Sequence, residues 1–450
     1  MIAPAPGSRT VSTGVRLGYG VGSFCTATFS AVPGLLLLYY MTNFLAVPAW
    51  LAGAVVAAPK VWDLVINPLV GRWSDRTTSR MGPRRPWLLA GALTLPITFA
   101  LVFAGPPLRG LPAALYVGGL FLLAATAYAL FEVPYKAMPA EMTDDYHERT
   151  SLLQWRMVFI GAATAISGIL APTIAHGEGD HGTLGSYRLM AIVIALIIFA
   201  AMIGSFFGTA RAPMTGSPEP DSGTLWAQFA TVRRNAAFLW LLALSCTQML
   251  AVSMMMAAAP YFATYLIGDP KSTNTLFAAL VGPMLLSMPL WVWLSRRFDK
   301  RGAMVLAALL YGGATLAALA TPLFGPVYAH AVLLVVGTGI AGVQLLQFSM
   351  LADVIAADSA ATGKRRAGVY TGLWTAIESA VASFGALIFG VVLSIGGFLE
   401  SDPANPVRQP DSAVSAVLVG QTAIPALIIL LSVPMILRYR LPATEAAALS

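Results

Sequence analysis

The chain has 450 residues, of which 57% are hydrophobic and only 10% charged, against about 25% charged in an ordinary soluble domain. That composition excludes a soluble globular enzyme and requires an integral membrane protein. The formal charge of +7 does not point to nucleic acid, because the basic residues stand in short loops beside apolar runs, the positive-inside pattern.

Residues 1–14 carry only Arg9 and no long apolar core, so they do not read as a cleaved signal peptide, and the first span does its own targeting. Apolar runs then predict twelve membrane helices, near 17–44, 50–71, 87–106, 112–139, 151–174, 187–210, 236–266, 274–295, 303–322, 328–355, 367–398 and 413–437. With both termini cytoplasmic, only Arg109, Arg188, Lys271 and Arg408 fall outside, while Lys60, Lys136 and Arg156 fall within spans. That asymmetry predicts a multi-pass protein of the plasma (cytoplasmic) membrane with both ends inside.

The longest cytoplasmic connection, 211–235, contains Pro213, Gly216, Pro218, Pro220 and Gly223 and divides the chain into six-helix halves at 1–210 and 236–450. Each half has a charged loop after its second span, Gly71-Arg-Trp-Ser-Asp75-Arg76 and Ser295-Arg-Arg-Phe-Asp299-Lys-Arg301. Such an echo is the trace of a parallel repeat. The expected fold is therefore an all-α membrane protein, two pseudo-symmetric six-helix bundles in the major facilitator arrangement.

Ionisable groups inside the spans carry the chemistry. Each costs roughly 2.5–3.5 kcal/mol at a helix centre on insertion scales, so they need a reason to be there. Lys60, Asp63 and Asn67 share one helix face by their spacing of three and four. Glu132 and Lys136 are four apart and straddle Pro134, whose ring removes one backbone hydrogen bond. One reading is a central site lined by both helices; the other is a set of internal salt bridges that merely neutralise each other. Arg156 suits a bidentate clamp on a carboxylate, phosphate or pair of hydroxyls, or a structural pin onto Glu132. Trp374 and Glu378, one turn apart, offer an aromatic platform with a polar end, or simple packing.

The cytoplasmic loop reads as a latch, with Gly71, Asp75, Arg76 and Arg80 in the first half and Asp353 with Lys364, Arg365 and Arg366 in the second. In it Asp75 pairs with Arg76 and Arg80 or sits at a helix end, with Glu141, Asp144, Asp145, Glu148 and Arg149 as companions. Topogenesis alone is the rival explanation. His176 and His181 share an outer loop with Glu178 and Asp180, which reads as solvated and flexible rather than as a metal site. Cys25 and Cys246 read as structural thiols. Neither a phosphate-binding glycine loop nor a nucleophile elbow occurs, which argues against an ATP-driven pump or a hydrolase.

Four stretches resemble the glycoside-pentoside-hexuronide:cation symporter family of the major facilitator superfamily. They are Lys60-Val-Trp-Asp63 with Asn67-Pro68 through Arg85-Pro86-Trp87; Glu132-Val-Pro-Tyr135-Lys136 through Glu148-Arg149-Thr150 and Arg156; Met350-Leu-Ala-Asp353-Val; and Gly363-Lys-Arg-Arg366 through Tyr370, Trp374 and Glu378. The resemblance implies a cation or proton site at Asp63, Asn67 and Glu132 and substrate contacts at Thr26, Lys60, Lys136, Arg156, Trp374 and Glu378.

The chain departs from the family pattern where Asn67 replaces a second carboxylate, Thr26 and Ala27 stand where an acid binds sugar hydroxyls, and Lys136 replaces an aromatic. No lysine occurs around Trp374–Ser379. Loss of a carboxylate favours H+ over Na+, since sodium needs several hard oxygens and a proton needs one acid; Na+ at Asp63 and Glu132 remains the alternative.

The expectation is a symporter for a sugar, glycoside or related small solute, working as a monomer among membrane lipids by alternating access and without a cofactor. A lysophospholipid carrier of the same fold and, furthest from the sequence, a non-transporting receptor or enzyme are the competitors.

Overall fold

A computed structural model describes residues 11–143, 145–177, 183–212, 232–233, 235–362, 367–401 and 407–439. Every regular element among them is helical. In chain order they are α1 (Thr13–Phe44), α2 (Ala49–Asp75), α3 (Arg85–Phe103), α4 (Gly110–Met142), α5 (Tyr146–His176), α6 (Leu184–Gly208) and α7 (Ala236–Phe262). There follow α8 (Ser272–Leu286), α9 (Met288–Phe298), α10 (Lys300–Ala317), α11 (Thr321–Thr362), α12 (Ala367–Ile395), α13 (Asp411–Gln421), α14 (Ala423–Leu430) and α15 (Ser432–Arg438).

The span count closes on the expected twelve once two irregularities are resolved. Ten helical runs among the described residues are long and apolar enough to cross a membrane, and α8 with α9, bent by 46°, makes an eleventh. One of the ten, Lys300–Thr362, has 63 residues, about 95 Å of helix at ~1.5 Å per residue and some three bilayer cores of ~30 Å. Gly325, at φ 80 and ψ −171, breaks it in a backbone region open to glycine. Gly325 lies in the first turns of α11, and α10 and α11 pack against each other, so the run crosses twice. The last span is likewise assembled from α13, α14 and α15, interrupted at Thr422 and Leu431.

Several helices outrun their apolar cores. Gly71 to Asp75, expected as loop, is the last part of α2, because a helix satisfies its own backbone and needs no apolar side chains once it leaves the hydrocarbon. His176, expected in a solvated loop, is the last residue of α5 and only 1% exposed. Gly177 follows it at φ 54, a glycine stop.

The contacts divide the chain into two compact units. One comprises Met1–Pro33, Asn43–Val47 and Ala58–Asp221; the other comprises Gly34–Thr42, Pro48–Ala57 and Ser222–Ser450. In the first, α3 packs on α4 and α6, and α5 on α6. Helix α1 meets α6 backbone to backbone, since a Cβ on Gly18 would lie 2.6 Å from the Gly208 Cα. In the second, α12 packs on α7, and α11 on α8 and α10. Gly342 accepts the Trp291 indole where any Cβ would clash.

Candidate functional site

Helices α1, α2, α4 and α5 of the first unit bring together six of the residues singled out from the sequence. Glu132, on α4, is 4% exposed; its Oε2 is hydrogen-bonded, and its Oε1 has ion-pair neighbours but no hydrogen bond. The Thr26 hydroxyl on α1 donates to its Oε2 at 2.7 Å. The Lys136 ammonium, one turn along α4, lies 2.8 Å from Oε1, and Arg156 of α5 lies 3.6 Å from the same oxygen. On α2 the Lys60 ammonium is 3.5 Å from Asp63 Oδ2. The other oxygen, Asp63 Oδ1, is buried and has no hydrogen-bond partner. Asp63 is also within electrostatic reach of Lys136 and Glu132.

Apolar packing sets this register. Ile66 and Val70 of α2 form a buried cluster with Ala129, against which Leu130 and Val133 pack. The Trp62 indole donates to Thr126 Oγ1 at 2.9 Å, tying the same two helices one turn earlier. Ile66 is thus a helix-packing side chain. Asn67 is exposed and has no hydrogen bond to Asp63 or Glu132, although the 3.6-residue period put it on their side.

An aromatic layer that sequence reasoning missed supports the cluster. Tyr19 and Tyr135 stack with centroids 4.5 Å apart. The Tyr135 hydroxyl donates to the Tyr19 carbonyl at 2.6 Å and meets Ser23 Oγ at 2.8 Å. The Arg156 guanidinium carbon stands 5.9 Å from the Tyr135 ring centroid. The signal was present in the spacing of Tyr19, Ser23 and Thr26, which puts three hydroxyl groups on one face of α1.

Trp374 and Glu378 belong to the second unit. Trp374 is 1% exposed, its ring lying near those of Phe238 and Phe348 at 6.5 and 6.3 Å. Glu378 accepts from Ser245 Oγ on α7. In the same unit Gln347 donates from its amide to Gln248 Oε1.

At the helix ends beyond the membrane core, the ion pairs differ from those expected. Asp75 pairs with Arg84 at 2.5 Å, while Arg76 and Arg80 are exposed and make no ion pair among the described residues. The reason is geometric: Arg84, at the start of α3, reaches Ser74 Oγ at 2.6 Å and Glu141, at the end of α4, at 2.5 Å together with Asp75. Burial opposes the Arg84 charge, but its bonds to Glu141 and Asp75 outweigh this and hold its pKa above the ordinary arginine value. Glu148 accepts from Thr143, Arg16 and the Val11 amide, Arg149 donates to the Thr143 carbonyl, and Asp145 caps α5. In the second unit Asp353 pairs with Lys300 at 2.6 Å; Asp144, Lys364, Arg365 and Arg366 lie outside the described residues. Among the described residues no cluster of three His, Cys, Asp or Glu side chains is placed to hold a metal.

Comparison with known proteins identifies the fold and the family. The D-xylose-proton symporter crystal structure superposes with a TM-score of 0.68 at 14% identity, covering 96% of this chain and 98% of that one. The inner membrane symporter YicJ of Escherichia coli is 26% identical over 96% of this chain and 92% of its own length. The isoprimeverose transporter of Lactiplantibacillus pentosus is 24% identical over 96% and 89%. The family described as MFS/sugar transport protein matches residues 18–443, nearly the whole chain, and the chain belongs to that family of secondary transporters.

Proposed function

We propose that the protein is a proton-coupled symporter of a sugar or glycoside, in which Asp63 takes and releases the coupling proton. The observation that carries this is the contrast between the two acids. Glu132 Oε2 accepts from Thr26, and its Oε1, without a hydrogen bond of its own, is compensated by Lys136 at 2.8 Å and Arg156 at 3.6 Å, whereas the buried Asp63 Oδ1 has no hydrogen bond and Lys60 stands 3.5 Å from the other oxygen. A proton arriving at Oδ1 needs no rearrangement of the neighbours. Sodium fits the donor set poorly, since it wants several hard oxygens and an ammonium already stands on each carboxylate.

The substrate class is supported by the relatives, which are named as an inner membrane symporter and an isoprimeverose transporter. The same reading puts both termini in the cytoplasm of a bacterial inner membrane and makes the monomer the working unit. Thr26, Lys136 and Arg156 are the polar contacts for solute in the first unit, and the Arg84 and Lys300 ion pairs serve as latches of their bundles.

Reconstitution into liposomes with an imposed pH gradient tests it. Labelled isoprimeverose is expected to accumulate in wild type and not in Asp63→Asn, which still exchanges label across the membrane without a gradient. Accumulation driven by a sodium gradient at constant pH, or undiminished in Asp63→Asn, refutes the assignment.

A further inference from the structure

We infer that Glu378 is a second proton-binding site, in the second unit, and that it acts as a gate: the carrier changes conformation only while this acid holds a proton, so alkaline pH arrests it. The inference rests on the alternating-access reading above and not on which acid couples. Three carboxylates lie well inside spans. Asp63 and Glu132 have cations at 3.5 and 2.8 Å, whereas Glu378, near the middle of the span Gly368–Ile395, makes no ion pair among the described residues. It accepts from a neutral donor, Ser245 Oγ of α7.

No base stands on the helices packed against it. Helix α12 packs on α7 and α13, and none of the three contains a lysine, arginine or histidine. Their other titratable groups are Cys246, within electrostatic reach of Glu378, Tyr261, Tyr370, and Asp411 at the first residue of α13. Helix α11 meets α12 where the Phe348 ring lies 6.3 Å from that of Trp374. It carries Tyr328, His330 bonded to Thr275, Asp353 paired with Lys300, and Asp358. Residues 49–57 of α2, which close on α12 where Gly53 faces Ala386, have no titratable side chain.

Water reaches Glu378 along one side of α12. The exposed residues of that helix are Gly368, Thr371, Gly372, Thr375 and Ser379 in its first half, then Phe384, Val391 and Ile395. Thr371, Thr375 and Ser379 follow at spacings of four, which stacks them on one face, and Glu378 adjoins the last of them. The hydroxyl row is about 12 Å long at ~1.5 Å per residue. It stops at the acid, and the exposed surface beyond is apolar.

While that face is wet, the carboxylate can be ionised. Alternating access withdraws it from water, and a charge withdrawn with no cation beside it is strongly disfavoured in membrane surroundings. Only the protonated acid passes. Empty and loaded carriers both make the passage, so the proton on Glu378 crosses and returns: it sets a condition on turnover and drives none. Asp63 differs, since Lys60 stays beside it on the same helix.

The test measures exchange of labelled isoprimeverose across liposomes with equal pH on both sides, from about pH 6 to pH 9, where lysine stays charged. Wild type is expected to lose exchange at the alkaline end, approaching ten-fold for each pH unit once the single proton is lost. Asp63→Asn and Glu378→Asp are expected to keep that profile. Glu378→Gln, which preserves an acceptor for Ser245, is expected to exchange as wild type does at pH 6 and to stay active at pH 9. Thr375→Lys gives the unaltered acid a cation three residues before it, as Lys60 stands before Asp63, at an exposed position, and is also expected to stay active at pH 9. A readout without solute is amide hydrogen exchange over residues 371–379, compared between wild type and Glu378→Gln at the same pH. The two are expected to agree at pH 6, with wild type faster at pH 9 because its face is held open to water.

Wild-type exchange that persists at pH 9, or alkaline profiles that run parallel in wild type, Glu378→Gln and Thr375→Lys, overturns the gate. Loss of exchange at every pH in Glu378→Gln, with its unfolding temperature unchanged, also overturns it and makes Glu378 a solute contact. If wild type exchanges no isoprimeverose at any pH, the substrate reading fails, and the amide comparison alone decides the gate: equal rates at pH 9 overturn it.

Discussion

Glu132 and Asp63 are both intramembrane carboxylates, yet their surroundings assign them opposite tasks. Glu132 holds three elements at once through Thr26, Lys136 and Arg156. Replacing it by Gln leaves Lys136, whose side chain is 46% exposed, and the more buried Arg156 without their anion, and breaking a fully buried pair costs about 3–5 kcal/mol, an upper bound here. Glu132→Gln is therefore expected to lower the unfolding temperature markedly in detergent, more than Asp63→Asn does, and Lys136→Met added to it is expected to recover part of the loss. An equal, small effect of both single changes would show that Glu132 is not the structural anchor. That these residues are exceptional in their spans was legible from hydropathy, since charges in apolar runs stand out. What each one does was not, because it depends on Thr26 and Arg156 arriving from helices 106 and 24 residues away. The buried pairing of Tyr135 with Tyr19 and Ser23 was hidden for the same reason. Asn67 shows how little a helical period says by itself: it gives a face, and the packing of Ile66 and Val70 on α4 then decides which part of that face is covered.

Between elements, glycine decides how near two helices come. Gly18 and Gly208 bring α1 and α6 into backbone contact, and an added methyl group on either would sit 2.5–2.6 Å from the other's Cα. No rotamer relieves a clash with backbone, so the helices must part, and overpacking of this kind costs about 1–3 kcal/mol. Gly18→Ala and Gly208→Ala are each expected to reduce thermal stability. Gly161→Ala on α5, where nothing lies within 4 Å of the new Cβ, is expected to be neutral or stabilising, by up to about 1 kcal/mol. Matching melting curves for all three would refute the close-approach account. Gly14, Gly18, Gly20 and Gly22 of α1 mark a close approach in the sequence itself, but the partner helix was not legible. Helix interruptions were hidden too: the bend at Ser287 and the break at Thr422 lie in runs whose hydropathy never falters, since backbone geometry is invisible to an apolarity count.

At the scale of the molecule, each unit carries one basic residue at the start of its third span gripping an acid near the end of its fourth: Arg84 with Glu141, and Lys300 with Asp353. The repeat seen in the sequence is thus also a repeat of ion pairs, although the arginines nearest Asp75 in sequence, Arg76 and Arg80, are not the ones used. The two grips differ in strength. The Arg84 and Glu141 side chains are 8% and 4% exposed, those of Lys300 and Asp353 41% and 28%. Exposed pairs contribute about 0–1 kcal/mol and buried ones far more when broken. Arg84→Met is therefore expected to destabilise the protein strongly and Lys300→Met hardly at all, with the reverse order in unfolding temperature refuting the asymmetry.

The placement of the ion pairs along single helices has a further consequence. Lys60 with Asp63, and Lys136 with Glu132, lie three and four residues apart on one helix, so no sliding or tilting of helices separates them. Thr26 and Arg156 reach Glu132 from other helices, and any relative motion stretches those contacts. Motion between helices is therefore felt at Glu132, whose contacts to Thr26 and Arg156 stretch, and leaves the pairing of Lys60 with Asp63 within α2 intact.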